Sequence, residues 1–195
     1  MKKIGLKLGL ILLAVSLILT FVGCNRAPQE APAPLTETEN PQNGEDVVID
    51  PAPEGEEIVV TLYFANYDYI MTGDQGLEST IPVEKTITVG ERGIEEIIIA
   101  ELQSQPEEEE LSTTLDTLKV LSVDTAEKIV YVNFSSEQLS GGTLQESLVL
   151  QQVVYSLTEL PEIEAVQILV DGSKRETLMG HIFIEEPLIR EDIGF

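Results

Sequence analysis

The apolar positions of this chain change their period from one stretch to the next, and each change marks a boundary. Residues 8–22 form an almost uninterrupted apolar run of about 15 residues behind Lys2, Lys3 and Lys7. A basic head before such a run has the form of a secretory signal, and the run is shorter than the ~20 residues a membrane span needs. From 25 to 57 no period survives: the stretch holds six of the ten prolines and no aromatic residue. It cannot bury enough apolar surface to offset its ordering entropy, which predicts a disordered tether. Its reach lies between roughly 30 Å as a flexible coil and about 100 Å if fully extended.

Regular periods begin at Ile58. Ile58, Val60, Leu62 and Phe64 alternate with Val59, Thr61 and Tyr63. Both faces are substantially apolar, as in a strand inside a sheet. Residues 67–71 read as a further extended piece and 73–76 as a turn. Residues 77–89 read as a mobile or hairpin segment in which Pro82 marks an edge. Ile94, Ile97, Ile98 and Leu102 follow helical spacing, predicting a helix over about 91–103 that Pro106 ends. Two β-rich runs, 117–123 and 129–134, predict a hairpin with a five-residue loop at 124–128. Thr143-Leu144-Gln145-Glu146 matches a capping box, so a second helix is expected from Leu144. Its apolar stripe is Leu144, Leu148, Val149, Val153, Leu157 and Leu160, closed by Pro161. A strand at 166–170, an Asp171-Gly172 turn and a short run at 178–184 complete the chain. The predicted class is α+β, in the order strand-helix-strand-strand-helix-strand, with two helices on one face of a small mixed sheet. Three segments follow: a signal at 1–23, an acidic Pro-rich tether at 24–57 and one domain at 58–195.

Charge sharpens this division. The chain has 11 Lys plus Arg against 35 Asp plus Glu, a formal net charge of −24. Residues 1–23 carry +3, residues 24–57 carry −8, and 58–195 carry −19 from seven basic and 26 acidic residues. A protein so acidic does not bind nucleic acid by neutralising phosphates, and it is repelled by an anionic lipid surface. One Cys and one His exclude a disulfide framework, a Cys-rich zinc site and any scheme needing several imidazoles.

The end of the apolar run, Phe21-Val22-Gly23-Cys24, resembles the bacterial lipoprotein signal, in which a small residue precedes an invariant Cys. Gly23 and Cys24 fit that pattern, and Phe21 stands where the family usually has Leu. The resemblance implies that Cys24 is acylated and becomes the new N-terminus. The chain would then be lipid-anchored to the cell membrane on its extracytoplasmic face. Two acyl chains suffice for stable anchoring, at ~0.8 kcal/mol per buried methylene. The alternative is an uncleaved anchor with an incidental Cys.

A second resemblance covers nearly all of 59–188. It rests on Leu62-Tyr63-Phe64, on Thr117-Leu118-Lys119-Val120-Leu121-Ser122-Val123 and on Val132-Asn133-Phe134-Ser135-Ser136. It rests most on Val166-Gln167-Ile168-Leu169-Val170-Asp171-Gly172 and Glu176-Thr177-Leu178-Met179-Gly180-His181. In order and spacing these resemble the GerMN domain of sporulation and germination proteins and related bacterial lipoproteins. Gln105 and Met179 depart from that pattern, each standing where the family commonly has Gly. The resemblance implies a module similar to the ring-building motif, and a non-enzymatic part of envelope assemblies. It marks Asp171, Gly172, Glu176, Gly180 and His181 as family motif residues.

Candidate chemistry changes this little. His181 with Asp171 and Glu176 could bind a metal or do acid-base work, but on a hairpin such side chains more often hold the turn. Ser135-Ser136 lacks a nucleophile elbow and reads as turn chemistry. Glu107 to Glu110 lack the spacing and the Gly of a calcium loop and read as a solvated charge run. No catalytic residue, cofactor or metal is assigned. The expected function is docking or assembly in envelope complexes, sporulation or germination complexes among them. The expected partners are other envelope proteins or further copies of the chain, with Tyr67 and Tyr69 as candidate anchors. The alternative is a ligand-binding or sensory module for a wall-derived small molecule or peptide, which a deep, partly apolar pocket would favour. An enzyme acting on the cell wall comes third.

Overall fold

The computed structural model describes residues 55–194. The expected signal, Cys24 and the tether as far as residue 54 lie outside the described residues. Strand β1 (Glu56–Asn66) starts inside the last two positions of that expected tether, because Glu56 and Glu57 already pair with Val89 and Thr88. β1 is antiparallel to β2 (Thr80–Val89) and to the two-residue β3 (Leu111–Ser112), giving a sheet ordered β2-β1-β3. Val60, Leu62 and Phe64 point into the core. Val59, on the opposite face, is 65% exposed, so that face is wetter at its start than the alternation predicts.

Residues 67–71 are not extended. They belong to helix α1 (Tyr67–Thr72), whose ends are fixed by two caps. Asn66 Oδ1 accepts the Asp68 and Tyr69 N–H groups, and Gly73 takes the left-handed conformation at φ 66. The caps outweigh the strand preference of Tyr and Ile, since each satisfies backbone groups that the turn would otherwise leave unpaired.

The second sheet is mixed and ordered β4-β5-β6, from β4 (Val120–Ala126), β5 (Ile129–Phe134) and β6 (Ala165–Val170). β4 and β5 are antiparallel; β5 and β6 are parallel and joined through helix α3 (Thr143–Leu157). The α+β class and the order β1, α2, β4, β5, α3, β6 are those expected, with α2 at Ile94–Gln103. The strands are divided between two three-stranded sheets. The β4–β5 connection is a two-residue turn and not a five-residue loop. Glu127 and Lys128 both have positive φ, 52 and 67, which matches the twist of the flanking strands.

One core joins both sheets. α2 contributes Ile98, Ile99 and Leu102, and α3 contributes Leu148, Val149, Leu150, Val153, Val154 and Leu157. The helices pack on each other and on strands of both sheets. Leu144, expected in the α3 stripe, is exposed. α3 is buried nearly all round, and its polar residues are partnered by the chain around it. Gln151 Oε1 accepts from the Ser79 hydroxyl at 2.7 Å and its Nε2 donates to Ile193 O at 3.0 Å. Gln152 Oε1 accepts from Thr114 N–H and hydroxyl, and Ser156 Oγ accepts Tyr63 N–H. Among the described residues no helix is long and apolar enough to cross a membrane.

Candidate functional site

After β6 the chain turns sharply and runs back along that strand's outer side. The turn is Asp171-Gly172, both left-handed at φ 49 and 75. Asn133 Oδ1 accepts Gly172 N–H at 2.8 Å, and Asp171 Oδ1 accepts Ser136 N–H at 3.0 Å. Hydrogen bonding from Ser136, with Arg175 assisting at 3.6 Å, holds the Asp171 carboxyl below the usual aspartate range. Asn133 and Ser136 therefore brace this turn, and Ser135 Oγ accepts Glu137 N–H. The returning segment is bonded to β6 by reciprocal backbone hydrogen bonds between Val166 and Leu188.

Residues 178–184 are not the expected strand, because three of their N–H groups go to a carboxylate. Glu146 is fully buried and extends from the first turn of α3. Its Oε1 accepts Leu178 N–H at 3.0 Å and Met179 N–H at 2.8 Å, and its Oε2 accepts His181 N–H at 2.8 Å. Gly180, at φ 107, turns the peptide between them. Glu146 thus does not close a capping box: Gly142 is the N-cap, the helix begins one residue early at Thr143, and no side chain caps it. A buried carboxylate needs several donors, and three backbone amides answer that need better than one N-cap amide. His181 Nε2 lies 3.3 Å from Gly141 O. Asp171 pairs with Arg175 and not with His181, and the Glu176 backbone carbonyl accepts Ile184 N–H. Among the described residues no group of three or more His, Cys, Asp or Glu side chains is arranged to hold a metal ion. Glu107 to Glu110 form an exposed turn ahead of β3.

The loop that Glu146 fixes carries Phe183, which is 69% exposed. Phe183, His181, Glu185, Glu186 and Asp192 border an open cleft of about 580 Å³. Sequence reasoning missed Phe183 by absorbing it into a strand; the Gly180 before it and Glu185-Glu186-Pro187 after it were the available signal of a loop. Tyr67 is 45% exposed on α1, with Met71 one turn further on the same face, while Tyr69 is half-buried.

A second cluster fastens the end of the described chain. The Arg190 guanidinium donates to Tyr63 OH at 3.1 Å, to Tyr155 O at 2.8 Å and to Glu159 Oε1 at 2.6 Å. It sits 4.9 Å from both ring centroids, and the rings meet edge to face at 5.4 Å. The Tyr63 hydroxyl first, and Arg190 second, hold the Glu159 carboxyl below its ordinary value; burial pushes the Tyr155 hydroxyl up.

The Germane family model, described as sporulation and spore germination, matches residues 61–176. This chain belongs to that family. The Germane match encloses Glu146, Asp171, Gly172 and Glu176 and ends before Gly180, His181 and Phe183. The first GerMN domain of the sporulation protein GerM from Bacillus subtilis superposes with a TM-score of 0.52 at 18% identity, over 69% of this chain and 99% of that one. The tandem GerMN domains of the same protein give 0.52 at 23% identity, over 69% of this chain and 45% of that one. A candidate lipoprotein from Clostridium perfringens is 26% identical over 70% of this chain and 90% of its own, with a TM-score of 0.45. None of the curated proteins matches. The Germane domain of this chain therefore has the GerMN fold.

Proposed function

We propose that this Germane protein is a lipid-anchored, extracytoplasmic docking module for envelope complexes that serve sporulation or germination. It holds partners and converts no substrate. The observation that carries the proposal is Phe183: a large apolar side chain, 69% exposed, on a loop whose backbone is clamped to a fully buried Glu146. An exposed aromatic group on a segment whose preceding backbone is already ordered loses less entropy on contact and is the usual kind of interface anchor. Among the described residues the clefts beside Phe183 and between α2 and β4 are open to solvent, which suits the contact of a partner surface. The Gly23-Cys24 pair supplies the anchor, and the acidic 24–57 stretch would hold the domain off an anionic surface.

Cell fractionation and thiol crosslinking test this together. The chain is expected in the membrane fraction, and a Cys24→Ala variant is expected to leave it. Engineered Cys at positions 71, 144 and 183 should give a discrete adduct, strongest from 183. Monomer from every position would overturn the docking role, and an unchanged distribution of Cys24→Ala would overturn the anchor.

A further inference from the structure

β4 is an outer strand of the mixed sheet, bonded to β5 on one side and to no strand among the described residues on the other. Of the other outer strands, β6 is protected by its bonds to Leu188, β2 by Pro82 and by Lys85, which pairs with Glu101, and β3 is only two residues long. Between Val120 and Ala126 there is neither Pro nor Lys; the edge is interrupted by the register shift between Val120 and Ser122 and carries one charge, Asp124, with the run Ser122 to Ala126 regularly paired to β5. Beside this edge lies an open groove of about 360 Å³ whose far wall is α2. Val120, Leu121, Ser122 and Val123 all line it. The pairing with β5 shifts register between Val120 and Ser122, leaving Leu121 as the extra residue, and the groove follows four consecutive residues of a strand whose other side has no strand partner among the described residues. Ile99 and Ala100 of α2 complete an apolar floor. An extended peptide laid between a strand edge and a helix meets both backbone partners and side-chain pockets.

Charge selects the occupant. Arg92, Lys119 and Lys128 around the groove and its hairpin are already paired, with Glu96, Glu137 and Glu164. Beyond the groove's own lining, no ion pair among the described residues takes up Glu91, Asp124 or Glu127, while Glu95 accepts the Thr125 hydroxyl at 3.0 Å. A second copy would bring the same acids to the contact, and the chain's own 24–57 segment carries −8. We infer that the β4–α2 groove receives an extended basic segment of a partner protein. The segment adds to β4 as a new strand, its apolar side chains facing Ile99 and Ala100 and its Lys or Arg side chains alternating toward the other face, on which Asp124 lies next to the core-facing Val123. This surface is on the opposite edge of the sheet from the Phe183 segment, and it does not depend on that loop docking anything.

The test uses the full chain in nonionic detergent and two fluorescein-labelled octapeptides, one alternating Lys and Val, the other with the same residues in two blocks. The alternating peptide should bind saturably and about tenfold tighter than the block peptide, since diffuse attraction to a −19 domain does not discriminate order. It should slow hydrogen exchange of the amides at 120–126. Ala100→Arg, which fills the groove and adds a like charge, should weaken it at least about tenfold; Asp124→Lys serves should Ala100→Arg not melt cooperatively. Phe183→Ala should bind as wild type does, so a failed Phe183 docking role leaves this outcome untouched. Equal binding of the two peptides, protection confined to other residues, or full binding by the folded groove variant would overturn the inference.

Discussion

Removing the Glu146 carboxylate should release the 178–181 loop while leaving most of the core intact. Its three N–H partners are Leu178, Met179 and His181, and it is fully buried. A hydrogen bond to a charged acceptor contributes about 1.5–3 kcal/mol net, and a buried donor left without a partner costs about 1–3 kcal/mol. The three do not add in full, because the freed segment can swing out and hydrate its amides, which caps the loss at the cost of local opening. Glu146→Ala is therefore expected to lose about 3–5 kcal/mol, a large part of the stability of an ordinary domain, about 5–15 kcal/mol. Glu146→Gln separates the two oxygens. Its amide oxygen can still accept from Leu178 and Met179, but its NH₂ group then faces the His181 N–H, for a loss of about 1–3 kcal/mol. Urea denaturation followed by circular dichroism reads the totals, and residue-resolved hydrogen exchange reads the pattern. In the Gln variant the His181 amide should lose protection first, while in the Ala variant all three should. An Ala variant within about 0.5 kcal/mol of wild type, with all three amides still protected, would refute the reasoning.

Further expectations concern the turns and the aromatic clamp. Arg190→Ala removes a guanidinium that touches two rings, a carbonyl and a carboxylate. Partly exposed as it is, a loss of about 1–2 kcal/mol is expected in a thermal melt, and Lys should not restore it because it lacks the planar fork. Gly172→Ala meets no atom within 4 Å but sits at φ +75, so its cost is backbone strain alone, about 1 kcal/mol, and Gly172→Asn should cost less. Asp171 has a depressed folded value; its contribution is present above the ordinary aspartate pKa and is lost as pH falls through the lower folded one. An NMR titration should place its midpoint below the ordinary range, and Asp171→Asn should flatten that acid limb of the stability profile; a midpoint at the ordinary value would contradict the Ser136 bonding. Glu159 follows the same sign, so the Arg190 clamp should loosen as pH falls below the ordinary glutamate range, visible as quenching or shift of Tyr63 and Tyr155 resonances.

Local rules recovered what local forces decide. The alternation at Ile58 to Phe64, the spacing of Ile98 and Leu102, and the Asp171-Gly172 pair are patterns within a few residues, and they appear in the structure as β1, α2 and a tight turn. α1 reads as extended where strand-favouring Tyr and Ile dominate, although both of its caps, Asn66 and Gly73, stand in the sequence. The β4–β5 turn carries Glu-Lys where a Gly or Asn would have announced positive φ. Glu146 shows the deeper limit. Its four-residue motif is that of a capping box, but its partners lie 32 to 35 residues away, where no sequence period connects them. Phe183 and Arg190 were missed for the same reason: exposure and clamping depend on how the returning segment lies against β6 and α3, not on neighbours in the chain.

The docking role is tested most directly by placing a photo-crosslinking amino acid at Phe183 in cells carrying the full chain, with the nearly as exposed Met71 as the reference position. A discrete high-mass adduct from position 183, lost when Glu146 is changed to Ala in a chain that still folds, is the predicted result. Monomer alone from position 183, or an adduct indifferent to Glu146, would contradict the claim that this loop is a preformed docking surface.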